Sequence, residues 1–440
     1  MTTFDRDTLI RQALTPSAAV TAPEDLGDEI YRSVVATQQR RPAFGFVRAS
    51  HSLAPSRATL VLLMTMLALL LLGSFIVLSQ LPPPPSQLTM HHGGPERTGV
   101  MPGPGPAGEV FVAWEVQRGG AIGVTMMPLV VDGSVLMADD SGTVASLDEI
   151  TGEEAWSINV GSPILSSPVL FDDLVVVGSI EGVVSAHDTT DGSERWRFEA
   201  SGSVSASLAV VDDTIYVGSE AGILHALDAT DGGERWSISV GGPITSGPAV
   251  ADGVIYVGAT GGRFSTIDAH SGEPLWSVEL GPGGLTTPAV AMGTVYVGHG
   301  FDAPEPPHDL VALNVADGSQ RWNFASPSGR QVYLGAVGVD LVYAVSDDGS
   351  VYALRPATGD VVWSHETGGR VGALAGLVRE ALYVSGTDWT VRALDAATGT
   401  RLWLVDVEGE PSIPAVLNGR VIVGTTYGKV VAIAGTEGPR

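Results

Sequence analysis

The chain has 440 residues, with 23 Lys and Arg against 49 Asp and Glu for a net charge of −26, and it contains no cysteine. The missing cysteine rules out disulfides, thiolate metal sites, cysteine nucleophiles and an N-terminal lipoprotein cysteine. Such an acidic chain repels phosphate backbones, which argues against nucleic acid as a partner.

Residues 1–57 are the exception, with seven Arg against six Asp and Glu. Pro23-Glu24-Asp25 reads as a helix start, and Leu26, Ile30 and Val34 recur at four-residue spacing. A short amphipathic helix over 23–38 and a loosely ordered tail both fit, and the helix form would suit docking of a cytoplasmic partner.

Ala58 to Leu81 reads ATLVLLMTMLALLLLGSFIVLSQL, 24 residues without a charge. About 20 such residues cross a bilayer core. A signal peptide would start nearer the N-terminus and end on a small-residue cleavage site, and neither holds here. A single transmembrane helix is therefore expected at 58–81. Arg32, Arg40, Arg41, Arg48 and Arg57 precede it, and the next Arg is Arg97. The positive-inside rule then puts the N-terminus in the cytoplasm and everything later outside the cell membrane. Pro82–Pro85 opens a Pro/Gly-rich linker over 82–108, read as an extended spacer that includes His91 and His92.

Beyond it, tryptophans stand at 114, 156, 196, 236, 276, 322, 363 and 403, at intervals of 42, 40, 40, 40, 46, 41 and 40. A fixed period near forty marks a repeat architecture. Ser246 to Leu280 holds four short apolar segments separated by turns: Pro248–Val250, Val254–Gly258, Phe264–Asp268 and the Trp276 strand. Four hairpin-linked strands per forty residues describe one propeller blade. The second strands (TIYVG, VIYVG and TVYVG) are apolar without alternation, as expected of strands covered on both faces. Seven units end at Trp156 through Trp403. The eighth begins at Pro414 and stops before any Trp, so Glu109–Val116, carrying Trp114, supplies its missing outer strand. The expectation is an all-β, eight-bladed propeller of four-stranded blades over 109–440, its N- and C-terminal strands closing the last blade.

These repeats carry the phrase Ala-x-Asp-x-x-x-Gly-x-x-x-Trp at Ala186…Trp196, Ala226…Trp236 and Ala393…Trp403, with partial copies ending at Trp156, Trp276, Trp322 and Trp363. In this the chain resembles the PQQ-like, or quinoprotein-alcohol-dehydrogenase-like, β-propellers, and HHGGPERTGV at 91–100 is similar to the segment that often precedes them. The resemblance implies tryptophan docking between blades by Trp114, Trp156, Trp196, Trp236, Trp276, Trp322, Trp363 and Trp403 together with Gly192, Gly232, Gly272, Gly318, Gly359 and Gly399. A large indole packs closely on a residue without a Cβ. Enzymes of the family bind pyrroloquinoline quinone (PQQ) with Ca²⁺ on the axis, often beneath a Cys–Cys disulfide that this chain cannot form. They also carry long insertions absent here, so neither PQQ nor Ca²⁺, nor any other cofactor, is expected. The non-enzymatic branch includes BamB-type envelope proteins. This chain differs from them in having a membrane span in place of a lipid-bearing cysteine.

Function should lie where the repeats differ. The stretch between Gly298 and Val311 is about six residues longer than its equivalents and holds His299, Asp302, Glu305, His308 and Asp309. Such a set reads either as a divalent-metal loop or as a Pro-stiffened acidic loop. Trp389 lies in the GTDWT hairpin, where other blades carry Gly, Glu or Asp, either anchoring a partner or capping an apolar patch. No catalytic set emerges. The expected function is a membrane-anchored, extracytoplasmic binding or scaffold module for a protein or cell-envelope polymer. The alternatives are a PQQ-dependent oxidoreductase and a transmembrane sensor signalling through the tail.

Overall fold

The computed structural model describes residues 87–301, 303, 307–371 and 375–437. The tail, the 23–38 helix, the 58–81 span and the Pro82–Pro85 spacer lie outside the described residues. No helix among the described residues is long and apolar enough to cross a membrane.

Eight antiparallel sheets follow one another in the compact unit Pro82–Arg440. Blades 1 to 7 occupy residues 129–159, 169–199, 209–239, 249–279, 289–325, 332–366 and 376–406. Burial grades outward within each blade. Inner triplets such as Leu129–Val131 and Ala415–Leu417 are wholly buried, as is the second strand Thr214–Gly218. The outer strand Glu234–Ser239 alternates exposed and half-buried residues, as a sheet edge with one covered face must. Tight turns join the strands. Asp132-Gly133, Asp252-Gly253 and Asn418-Gly419 all have positive φ at both positions, the geometry a two-residue type I′ hairpin demands.

Blade 8 is assembled from both ends of the repeat domain. Ala107–Gln117 pairs with Lys429–Glu437, setting Trp114 opposite Ala432. The strand begins two residues before the expected Glu109. Blade 5 departs from the rest: Thr294–Phe301 runs past the usual length and pairs with an added short strand, Gly284–Leu285.

The repeated phrase joins neighbouring blades. Its Gly and its Trp do not meet each other. Gly232 receives Trp196 of the preceding blade, and Trp236 reaches on to Gly272 of the following one. A Cβ on Gly232 would lie 2.5 Å from the Trp196 ring, so only glycine fits there. The indole N–H of Trp196 donates to Ala229 O at 3.0 Å, and Trp156, Trp276, Trp322 and Trp363 make the same bond one blade onward. Trp114 does so to Glu149 O at 3.0 Å while packing on Gly152, which carries the chain of contacts across the closure. The Asp of the phrase holds its turn: Thr230 and Arg235 bond the Asp228 carboxyl and pull its pKa down to about 2.

Candidate functional site: the axial funnel and its rim

The stretch read as a linker from 82 to 108 is, from Leu88 to Gly103, a packed plug on the propeller axis. It circles the ring and bonds the inner strands in turn. Leu88 N donates to Val130 O (2.9 Å), and Thr89 O accepts from Leu170 N (2.8 Å). Pro95 O, Glu96 O, Thr98 O and Gly99 O accept from Val250, Val290, Val337 and Leu377, and Gly103 N donates to Val416 O. Blade 3 is reached by Arg97, which is fully buried. Its guanidinium donates to Leu208 O, to Pro248 O at 3.2 Å and to His91 O at 2.7 Å. An edge of unpaired inner-strand amides, costly if left dry, is satisfied in this way. The linker reading fails because Gly, Pro, His and Arg look solvent-loving in composition, whereas here the buried His91, His92 and Arg97 all find hydrogen-bond partners on the blades.

Burial tunes the plug's titratable groups. His92, bonded through Nε2 to Gly335 O at 2.7 Å, has its pKa lowered to about 4, chiefly by burial. His91 is pushed well down by burial and then by Arg97, and its Nδ1 pairs with Ser167 Oγ at 2.9 Å. Arg97 itself is brought down to about 9 by burial.

Above the plug opens a cavity of about 460 Å³ whose lining comes from all eight blades, mostly from the loops leading into them, with His91 at its floor. The walls are rich in hydroxyls, among them Ser205, Ser207, Thr245, Ser246, Thr286 and Thr387. The Ser246 hydroxyl is buried and has no hydrogen-bond partner among the described residues. Charge is sparse: Asp347 and Arg370 pair with each other at 2.9 Å, and Glu410 adds one more carboxylate. The sequence signal for this wall was available. Hydroxyl residues recur just before the inner strands in SSP, SAS, TSGP and TTP, at the same forty-residue period.

The described residues of the blade 5 loop do not gather into a metal-binding group. Among the described residues of the set, the structure brings together His299 and Asp309, with Nδ1 and Oδ1 3.1 Å apart and both residues buried. Asn323 Nδ2 donates to the other Asp309 oxygen at 2.7 Å. Burial opposes ionisation of Asp309, yet the bonds from His299 and Asn323 prevail and its pKa is lowered. His308 faces two backbone carbonyls, Ala303 O at 3.0 Å and Gly329 O at 3.3 Å. Asp302 and Glu305 lie outside the described residues. No group of three or more His, Cys, Asp or Glu among the described residues is arranged to hold a metal.

Trp389 stands at a position with a backbone demand. Its N–H donates to Gly386 O, and the same bond in six other hairpins is made by Gly142, Gly182, Gly222, Gly262, Gly349 and Gly428. All six have positive φ, and Trp389 shares it at +66°. A non-glycine residue there costs on the order of 1 kcal/mol. Buried Arg392 stabilises the turn, bonding Asp388 and Thr390 on either side of the Trp and reaching Thr367 O. The indole is 43% exposed and meets Tyr427, itself 54% exposed, edge-on at 5.4 Å. Trp389 follows the wall residue Thr387 by two positions. Thr426, next to Tyr427, bonds the backbone of Glu410. Along the chain the pair thus stands beside residues of the rim, outside the cavity lining itself.

The sequence model of a family described as outer membrane protein assembly factor BamB matches residues 111–203, 180–332 and 309–440. The chain belongs to this BamB family of PQQ-like propellers. Within it, the chain is 32% identical over 149 residues to a BamB of Burkholderia pseudomallei, covering 31% of this chain and 36% of that one. It is also 30% identical over 119 residues to a polyvinylalcohol dehydrogenase of a Pseudomonas species, covering 25% and 18%. The chain therefore spans well under half the length of these curated relatives. The crystal structure of BamB from Moraxella catarrhalis superposes with a TM-score of 0.60 at 20% identity, over 75% of this chain and 98% of that one, a likeness of fold.

Proposed function

We propose that this chain is a membrane-tethered, extracytoplasmic binding module of the cell envelope, a non-catalytic platform that engages its protein or polymer partner at the mouth of the axial funnel. The observation that carries this reading is the plug. It turns a ring with an open axis into a cup with a polar wall and an exposed aromatic pair beside it. Rigid scaffolds that present loops in this way are common carriers of recognition. The BamB relatives, described as assembly factors, support a role in contacting other envelope components, and the uncharged 58–81 segment supports the tether.

The polyvinylalcohol dehydrogenase relative favours a second reading, a quinone-dependent oxidoreductase. PQQ carries three carboxylates and in this fold family is held with Ca²⁺, so its pocket must supply cationic partners and metal-binding oxygens together. The described wall offers one basic residue, Arg370, already paired with Asp347, above a floor of His91 that burial keeps neutral. These residues do not fit the group, and we derive no step through it.

Crosslinking in native membranes, followed by identification of the captured species, tests the platform. A specific partner should be trapped from positions such as Leu165 or Thr387 on the funnel and not from the exposed Leu275 of blade 4. Reconstitution with PQQ and Ca²⁺ should give no quinone absorbance and no dye reduction, and turnover would refute the non-catalytic reading.

A further inference from the structure

Resting on the binding-module reading, we infer that the funnel and the Trp389–Tyr427 pair form one saccharide site, which takes the end of an uncharged glycan chain. The first argument is the wall chemistry. Serine and threonine hydroxyls both donate and accept, which matches the dual capacity of sugar hydroxyls, whereas a carboxylate or phosphate ligand needs an excess of donors. Ser246 presents such a hydroxyl, buried and unpartnered.

The second argument is charge. Asp347 neutralises the wall's single Arg370, Glu410 adds an uncompensated negative charge, and the whole chain carries −26. An anionic polymer is repelled from this mouth.

The third is the aromatic pair. Trp389 occupies a left-handed turn position that glycine fills in six other hairpins, so its backbone strain is maintained for the sake of the side chain. Along the chain Trp389 stands beside Thr387, Asp388 and Thr390, and Tyr427 beside Thr426, which bonds the backbone of Glu410. A protein hot spot needs a dry apolar surround, whereas this indole is exposed and stands in a polar hairpin beside Thr387, Asp388 and Thr390, an apolar face with polar residues next to it in the chain. That is the pattern a pyranose presents in return, with C–H groups on its face and hydroxyls around its rim. The volume of about 460 Å³ lies in the range of about 300–1,000 Å³ typical of small-ligand sites.

The test uses the full-length chain in detergent micelles, titrated by calorimetry with tetrasaccharides of glucose and of N-acetylglucosamine, and with a hexuronate tetramer as the anionic probe. At least one neutral tetramer should bind saturably, and the anionic tetramer at least tenfold more weakly. Trp389→Gly should weaken neutral binding at least tenfold, and Tyr427→Ala likewise. Trp389→Gly restores the residue the other hairpins use, so its thermal midpoint should equal or exceed that of the parent, which separates lost binding from lost folding. Absence of binding by either neutral tetramer overturns the inference, as does binding that Trp389→Gly leaves unchanged. If no saccharide binds while a protein crosslinked by the parent is lost from Trp389→Gly, the saccharide inference falls and the platform reading stands.

Discussion

Replacing Gly232 by Ala isolates the clasp between blades 2 and 3. Gly232 has φ +74°, and an added Cβ would lie 2.5 Å from Cε3 and 2.9 Å from Cδ2 of Trp196. The backbone term for an L-residue in this region is about 1–2 kcal/mol. Forcing a methyl into the contact adds about 1–3 kcal/mol of overpacking, for a total of about 2–5 kcal/mol. Gly253 provides the control. Its φ is +75°, yet nothing lies within 4 Å of the Cβ it would gain, so Gly253→Ala carries the backbone term alone. The difference between the variants, about 1–3 kcal/mol, belongs to the indole. Urea denaturation of both variants beside the parent, followed by far-UV circular dichroism, measures it. Equal losses in the two would refute the claim that Trp196 is pressed onto Gly232, and with it the account of how the blades are joined.

Arg97→Met removes the donor that serves Leu208 O, Pro248 O and His91 O. Buried carbonyls left unpaired cost about 1–3 kcal/mol each, so the variant should lose at least about 3 kcal/mol and expose the 88–103 segment to limited proteolysis. Below pH 6.5 the unfolded chain protonates His92 before the folded one does. Its contribution is therefore complete above that pH, declines toward about 4 and is level below. At about 1.4 kcal/mol per pH unit across that interval, His92 accounts for about 3 kcal/mol. Urea midpoints at pH 7, 5.5 and 4.5 should fall steeply, and His92→Gln should make the profile shallower while leaving the share of His91. Trp114→Ala breaks both the contact with Gly152 and the bond to Glu149 O, and should cost about 3–5 kcal/mol in the same denaturation assay.

The ring itself was legible in the sequence because its cause is periodic. Trp156 through Trp403 recur at the blade spacing, and the unpaired last repeat pointed directly to the strand around Trp114. The plug was not legible, since a single pass of chain has no period. Arg97 and His92 become core residues only through carbonyls as distant in sequence as Leu208 and Ala375. The funnel wall fell between these cases: its hydroxyls repeat, but weakly, and beside the tryptophans they look like ordinary loop residues. Trp389 was visible as a Trp where other hairpins carry Gly, Glu or Asp. Its meaning depended on φ, which no composition reveals. For the blade 5 loop the sequence left two readings open, and its described residues form one buried His–Asp pair and a histidine facing carbonyls.

The closing blade pairs Ala107 with Glu437, partners separated by 330 positions. A ribosome adding roughly 5–20 residues per second needs on the order of tens of seconds to deliver the second strand after the first. Throughout that interval the early strand has an open edge and seven blades have no ring to complete, the kind of non-local pairing that slows folding and invites association. Any chain cut short before Lys429 stays in that state permanently. Closure thus waits on the strand Lys429–Glu437, the last of the repeat domain to be made.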